Sequence, residues 1–474
     1  MSRYFIGIDN GSQSSKVSVF DEHGRVVSEG RSALRPYDTP RPGVVEHPDD
    51  DLWTSIGAAA RQAMAAFPGD PADIAGAGLC TIRFCRAVLK ADGTLAQPVM
   101  SWMDARVSGP YERATPDAAY VTTSSGYITH RLTGQFRDTA ANYAGMWPLD
   151  SDTFGWTTDD ARVAEAGLDR SMLFELVQPG DILGAVTEAA AAHTGIPAGL
   201  PVVATANDKA VEALGSGLRS ADTLLVSLGT YVAGMTTGSR NVKHGTGFWT
   251  NYAATPHAYL YESSGVRRGM WTVSWYRDLL GEEVAAPARE AGISAEEYIN
   301  RQAALVPPGS EGLITVLDWL APTEAPYRKG SILGFDGRQG RFHIYRSILE
   351  ALALTIGETA GKMAAELGTR FEEVVVSGGG SASDVIMQIF ADVFDVPARR
   401  AAAGGAGLGA ALTAAVATGT YPDFDGAVDA MVRTGEAFTP VPAHHALYTK
   451  LRKIHAEARH HTDGLYRESH ELFG

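Results

Sequence analysis

The chain has 474 residues, a formal net charge of −15 and 45% apolar residues. That length exceeds one ordinary core and predicts two large domains. The acidic balance excludes a general nucleic-acid binder, which needs a basic face for the phosphate backbone. Cys80 and Cys85, the two cysteines, make no disulfide framework. No apolar run reaches the length of a membrane span, so a cytoplasmic protein without a membrane partner is expected.

The opening stretch predicts a strand, a tight turn and a strand. The apolar run Tyr4 to Ile8 ends at Asp9, a turn covers Asn10 to Ser15, and a β-prone run follows from Val17 to Phe20. Gly11, Ser12, Ser14 and Ser15 are small enough for a phosphate to approach the backbone N–H groups, and Lys16 adds a positive charge. Asp9 would repel that phosphate unless a cation such as Mg²⁺ lies between them. Glu46 to Ala66 reads as a helix with Pro48 and Asp49 to Asp51 at its start. Ile74 to Leu79 is a strand leading into Cys80-Thr81-Ile82-Arg83, and Phe84 to Leu89 continues as β. Val99 to Trp102 reads as a further strand, with Trp102, Asp104 and Arg106 at its carboxyl end, where open α/β sheets gather ligand contacts. Tyr127 to Leu132 is helical up to Thr133-Gly134. Pro201 to Thr205 is a strand, and Asp208 to Leu214 a helix closed by Gly215-Ser216-Gly217.

Thr223 to Thr230 repeats the opening pattern, an apolar strand ending in Gly229-Thr230, with Tyr231 to Met235 resuming the apolar run. Two such units, one near the start of each half, predict a duplicated fold with a nucleotide between the halves. The boundary is expected near residues 217 to 224, giving domains 1–220 and 221–474. Residues 240 to 265 read as irregular β. Trp271 to Leu280, Ala295 to Leu305 and Tyr345 to Glu366 read as helices, the last the clearest amphipathic one. Val374 to Val376 is a strand, and Gly378-Gly379-Gly380-Ser381-Ala382-Ser383 follows it. Three glycines exceed what a turn needs and suit close approach by a ligand. Asp384 to Phe394 and Ala406 to Thr418 complete the helices.

Asp208, between a strand and a helix, has two readings. It could cap the helix, or it could act as the general base that takes a proton from an attacking hydroxyl. Three features are set aside. Gly357 to Met363 is one residue short of a P-loop, lacks its Ser or Thr and sits inside a helical pattern. His455, His460 and His461 read as a solvated helix face rather than a zinc site. The two cysteines read as buried thiols.

From about Tyr4 to about Gly419 the chain resembles the FGGY family of carbohydrate kinases, within the actin-like ATPase superfamily. The resemblance rests on Asp208-(x)6-Gly215-x-Gly217, on Gly378 to Ser383 with the tail Gly405 to Ala411, on Gly229-Thr230, and on Trp102-x-Asp104-x-Arg106. It implies an α/β fold of two actin-like (ribonuclease H-like) domains with an ATP/sugar cleft between them. It further implies ATP and Mg²⁺ as cofactors. The phosphates would lie on Gly11, Ser12, Lys16, Gly229 and Thr230, with the metal at Asp9. The adenosine would lie on Gly378, Gly379, Gly380 and Ser383, and the sugar on Arg83, Trp102, Asp104 and Asp208, with Asp208 as the catalytic base. Several positions depart from the pattern. Asn207 stands where many members have Gly, Tyr231 where Ser is common, and Phe84 where glycerol kinases follow the Arg with Glu. No Glu precedes the Gly405 tail, and the segment after Arg106 is short.

The expected activity is ATP-dependent phosphorylation of a small sugar, a ketopentose such as xylulose before others. A polyol, an aldonate or another sugar is the alternative within that class. An actin-like nucleotide-driven switch without sugar chemistry is the alternative outside it. Polar and aromatic residues beside Arg83 and Trp102, together with Asp208, favour the enzyme. The sequence leaves a homodimer open.

Overall fold

The computed structural model describes residues 3–143, 145, 147–322, 325–401 and 404–473. The opening strand, β1 (Tyr4–Asn10), pairs antiparallel with β2 (Ser14–Asp21), which pairs with β3 (Val26–Ala33). On its other side β1 runs parallel to β4 (Ile74–Thr81). With β5 (Ile182–Ala185) and β6 (Pro201–Val203) the sheet has the order β5-β6-β4-β1-β2-β3. The second sheet is built from β7 (Thr223–Leu228), β8 (Val232–Gly238), β9 (Phe248–Tyr252), β10 (Tyr259–Ser263), β11 (Glu373–Ser377), β12 (Ala398–Arg400) and β13 (Ala437–Phe438). Its order is β9-β10-β8-β7-β11-β12-β13. The pattern repeats strand for strand: β7 pairs antiparallel with β8 and parallel with β11, as β1 does with β2 and β4. β9 is an addition at the edge.

A central strand covered on both faces must be apolar throughout, and Phe5, Ile6 and Ile8 are all fully buried. Ile6 and Ile8 pack with Leu52, Trp53 and Ile56 of α1 (Asp51–Ala66), while Phe5 faces the opposite way. The helix carrying Asp208, α2 (Asp208–Gly215), begins just past β6. Four helices of the second half follow: α3 (Gly269–Leu280), α4 (Arg341–Leu367), α5 (Asp384–Phe394) and α6 (Gly405–Ala417). Phe5 packs in one cluster with Leu408 of α6, so a helix from late in the chain covers the first sheet. Its backbone comes so close that a Cβ on Gly7 would lie 2.0 Å from the Gly407 carbonyl oxygen, and one on Gly78 equally close to that of Ala410. Glycine at both strand positions is therefore a condition of the packing.

Several sequence expectations need correction. The first turn is tighter than expected, because Ser14 and Ser15 already belong to β2 and pair with Ala33 and Ser32. α1 starts at Asp51, not Glu46. Glu46 instead makes β-bridges to Asp38 and Met100, and Arg35 binds both Asp49 and Asp51. Val99 to Trp102 forms no strand; Met100 makes only isolated bridges, to Glu46 and Arg86. Glu282–Glu290 is a helix that Pro287 masked in the sequence. Residues 240 to 265 resolve into the regular strands β9 and β10. His455 is not on a solvated face: it is 7% exposed and its Nε2 lies 2.9 Å from the Thr315 carbonyl. Gly357 to Lys362 lies inside α4, and both cysteines are buried and free. Among the described residues no helix is long and apolar enough to cross a membrane.

Candidate active site

The turns after β1 and β7 face each other across one cavity of about 460 Å³. Asp9, Gly11, Ser12, Gln13, Ser14, Lys16 and Arg31 line it from the first half, and Thr230 from the second. Five residues expected from the sequence to hold phosphates and metal thus meet there: Asp9, Gly11, Ser12, Lys16 and Thr230. The Gly11 N–H donates to the Ser14 carbonyl at 3.1 Å and closes the turn. Lys16 sits opposite Asp9 in register and pairs with Glu29 at 2.7 Å. Arg31, opposite Lys16 on β3, donates to Ser14 Oγ at 3.1 Å. Sequence reading missed Arg31 because only strand pairing brings it to the turn. Ser15 points elsewhere: its hydroxyl is buried between Asn10 Nδ2 at 2.8 Å and Ser55 Oγ at 2.7 Å.

The cap of α2 is Asn207, not Asp208. Asn207 Oδ1 accepts from the N–H groups of Lys209 and Ala210, both at 3.1 Å, and its Nδ2 donates to the Ala141 carbonyl at 3.0 Å. Asp208 is thereby relieved of the capping role and keeps 30% of its side chain open. Burial raises its pKa, the Glu212 charge adds to that, and Arg83 and Lys209 oppose it. Arg83 Nε lies 3.8 Å from Asp208 Oδ1.

One turn further along α2, Glu212 ties this helix to the second sheet. Its Oε1 accepts from Ser227 Oγ at 2.9 Å and Ser377 Oγ at 2.7 Å, and its Oε2 pairs with Lys209 Nζ at 2.9 Å. Ser227 and Ser377 are register partners at the ends of β7 and β11. Burial pushes the Glu212 pKa up, but Lys209 and the serine hydroxyls carry it below the usual range.

Asp9 shows the opposite balance. Burial first, then the charges of Asp208 and Glu212, raise its pKa from the ordinary 3.8 to about 6, against the pull of Lys16 and Lys209. A carboxylate so placed gains from a cation. Among the described residues no group of three His, Cys, Asp or Glu side chains could cage a metal. A lone carboxylate beside a turn of small residues is a donor that could hold Mg²⁺ together with substrate phosphates.

The glycine run follows β11. Gly378 has φ +85°, and a Cβ there would lie 2.5 Å from the Leu228 carbonyl oxygen; one on Gly380 would lie 2.9 Å from the end of Met270 on α3. Gly379 has nothing within 4 Å and faces open space. Packing thus requires glycine at 378, the flexible end of Met270 could give way at 380, and Gly379 leaves an open approach. Ser383 Oγ donates to Asn300 Oδ1 at 2.8 Å. Gly229 and Thr230 carry the start of α3, since their carbonyls accept from Met270 and Gly269.

On the sugar side expected from the sequence, Arg83 reaches across the cleft. Its Nη1 and Nη2 donate to the two carboxylate oxygens of Glu262 on β10, at 2.8 and 3.0 Å. The guanidinium carbon stands 5.1 Å from the ring centroids of both Phe84 and Trp249. Tyr252 and Tyr261, near Trp249 in the chain, are core residues, 6% and 2% exposed. Trp102 is half-exposed. Asp104 is fully engaged, joining its loop to the segment before α1: it accepts from the Val45 and Arg106 backbones and from the Arg106 guanidinium, which also pairs with Glu46. With no free acceptor and no exposed side-chain surface, Asp104 shapes the loop rather than offering a contact.

The N-terminal domain of the FGGY family of carbohydrate kinases matches residues 4–119 and 109–215, and its C-terminal domain matches residues 224–418. The chain is 49% identical to an uncharacterised sugar kinase of Escherichia coli (strain K12), over 99% of this chain and 96% of that protein. It is 26% identical to an autoinducer-2 kinase of Klebsiella pneumoniae, over 94% of this chain and 92% of the relative. Among solved structures, the xylulose kinase from Rhodospirillum rubrum superposes with a TM-score of 0.84 at 24% identity, covering 98% of this chain and all of that one.

Proposed function

Because the chain belongs to the FGGY family of carbohydrate kinases, we propose that it transfers the γ-phosphoryl group of ATP to a hydroxyl of a small sugar, with Asp208 as the general base. The observation that supports this most is Asp208 itself: a partly open carboxylate of raised pKa that is not the helix cap, beside Arg83 and on a helix tied by Glu212 to the second sheet. A raised pKa makes it the better proton acceptor. In the transfer, the sugar oxygen bonds to the γ-phosphorus, the bond to the leaving ADP oxygen breaks, and the hydroxyl proton passes to Asp208. Gly11, Ser12, Lys16, Gly229 and Thr230 receive the phosphates, and Arg31 joins them. The adenosine lies along Gly379. Asp9 would hold Mg²⁺, which would supply charge neutralisation on the phosphates. Arg83 donates to the sugar, while Asp104 positions the loop bearing Trp102.

A ketopentose such as xylulose is the first substrate to test, since xylulose kinases of Lactococcus lactis and Rhodospirillum rubrum are similar to nearly the whole chain. A coupled ADP-release assay across pentuloses, polyols and aldonates tests the proposal. Sugar-dependent ADP release with one class strongly preferred is the expected result. ADP release that no sugar stimulates would contradict it and favour a nucleotide-driven switch.

A further inference from the structure

The Arg83–Glu262 pair joins residues 179 positions apart, one from each half, directly beside Asp208. The two side chains are unequally buried. Glu262 is 1% exposed, whereas Arg83 keeps 15% and Asp208 30%. A sugar in the cleft can therefore touch Arg83 and Asp208 but not Glu262. Both Nη atoms of Arg83 are already bound to Glu262, and aromatic rings stand by the guanidinium, so the edge facing Asp208 is Nε. The neighbouring cations are matched as well. Lys209 is held by Glu212, and Lys16 by Glu29. Around Asp208 the described residues thus present hydrogen-bond donors whose charges are already balanced.

We infer that Glu262 sets the class of sugar this site accepts: by holding both Nη atoms of Arg83 from across the cleft, it turns an anion receptor into a donor for neutral hydroxyls, so neutral sugars are taken and sugar carboxylates rejected. This rests on the kinase reading of the same site. Glu262 acts through Arg83 and is a positioning residue. Its rejection of acids is repulsive as well as competitive, since a sugar carboxylate entering beside Arg83 would meet the charges of Glu262 and Asp208 while Arg83 and Lys209, the cations next to Asp208, are already held by acids. Removing the Glu262 charge reverses the situation. The buried guanidinium then lacks an anion, and a sugar carboxylate is the group that supplies one.

The test compares wild type, Glu262→Gln and Glu262→Asp as full-length proteins, with kcat and KM measured for D-xylulose, D-gluconate and D-xylonate, and KM for ATP alongside. Wild type should prefer the neutral sugar. Glu262→Gln should raise KM for xylulose about tenfold, from the weaker bond to an uncharged partner. It should also raise the aldonate-to-xylulose ratio of kcat/KM by at least about tenfold, with KM for ATP unchanged. Glu262→Asp keeps the charge and should keep the wild-type ratio. A wild type that prefers aldonates, or a Glu262→Gln ratio equal to that of wild type, overturns the inference and leaves the kinase reading standing; equal losses on all three sugars do the same. A wild type that turns over no sugar in the wider panel overturns both.

Discussion

Replacing Asp9 by Asn should stabilise the ligand-free protein while weakening its Mg²⁺-dependent turnover. The Asp9 carboxylate is partly buried at the wall of the cavity and shares its surroundings with Asp208 and Glu212. Its pKa is raised from 3.8 to about 6, which corresponds to about 3 kcal/mol between its two protonation states. The folded-state value lies above the unfolded one. The stability contributed by protonated Asp9 is therefore complete below pH 3.8 and lost as pH rises through about 6. Asn carries no charge and avoids that loss. Urea denaturation of the two proteins without nucleotide should give a gain of about 3 kcal/mol for the variant at pH 7 to 8. The gain should fall to about half that at pH 5 and vanish near pH 3.5. In turnover, the variant should need more Mg²⁺ for half-saturation. A variant less stable than wild type at pH 8, or a gain that does not shrink toward pH 5, would refute the reasoning, because the Asp9 charge would then carry no cost in the fold.

Asn207→Ala removes the cap of α2 and its anchor on Ala141, and should cost about 1 kcal/mol of stability together with kcat, as circular dichroism melting and turnover would show. Asp104→Ala leaves Arg106 Nε and the Val45 N–H without their acceptor; it should lower stability by about 1–3 kcal/mol without a selective rise in sugar KM. A selective rise would return Asp104 to the sugar pocket. Sugar plus a non-hydrolysable ATP analogue should close the cleft and exclude water; small-angle scattering should report a smaller radius of gyration, and an unchanged radius at saturation would count against closure.

The sequence disclosed what local pattern encodes. Apolar runs bounded by small residues marked β1, β2, β7, β8 and β11, and their return in the second half marked the duplication. Asp208 was visible because strand, acid and helix follow one another directly. Its capping alternative was one residue out, since Asn207 offers the same kind of acceptor and the sequence cannot say which of two neighbours turns inward. Val99 to Trp102 misled because an apolar run buried against a loop has the composition of a strand without a strand beside it. Glu262 and Arg31 carried no local signal at all. Glu262 meets Arg83 only because two sheets face each other, and Arg31 reaches the turn only through the β2–β3 register. Glu212 looked like an ordinary helix residue, and its serine partners lie 15 and 165 positions away. For Asp104, the nearby Arg106 gave a local clue, and the ion pair two residues apart is what the structure contains.

The most direct test of the account sets wild type beside Asp208→Asn. Each would be assayed for ADP formation with and without its best sugar, and for binding of the ATP analogue. Asn at this position keeps an acceptor for the Lys209 N–H, and Asn207 still caps the helix, so the fold should be preserved. The account predicts sugar-stimulated ADP formation in wild type. In the variant that stimulation should fall by about 10²–10⁴, the worth of a general base, with nucleotide affinity unchanged. A folded Asp208→Asn protein that phosphorylates sugar at a near-normal rate would contradict it.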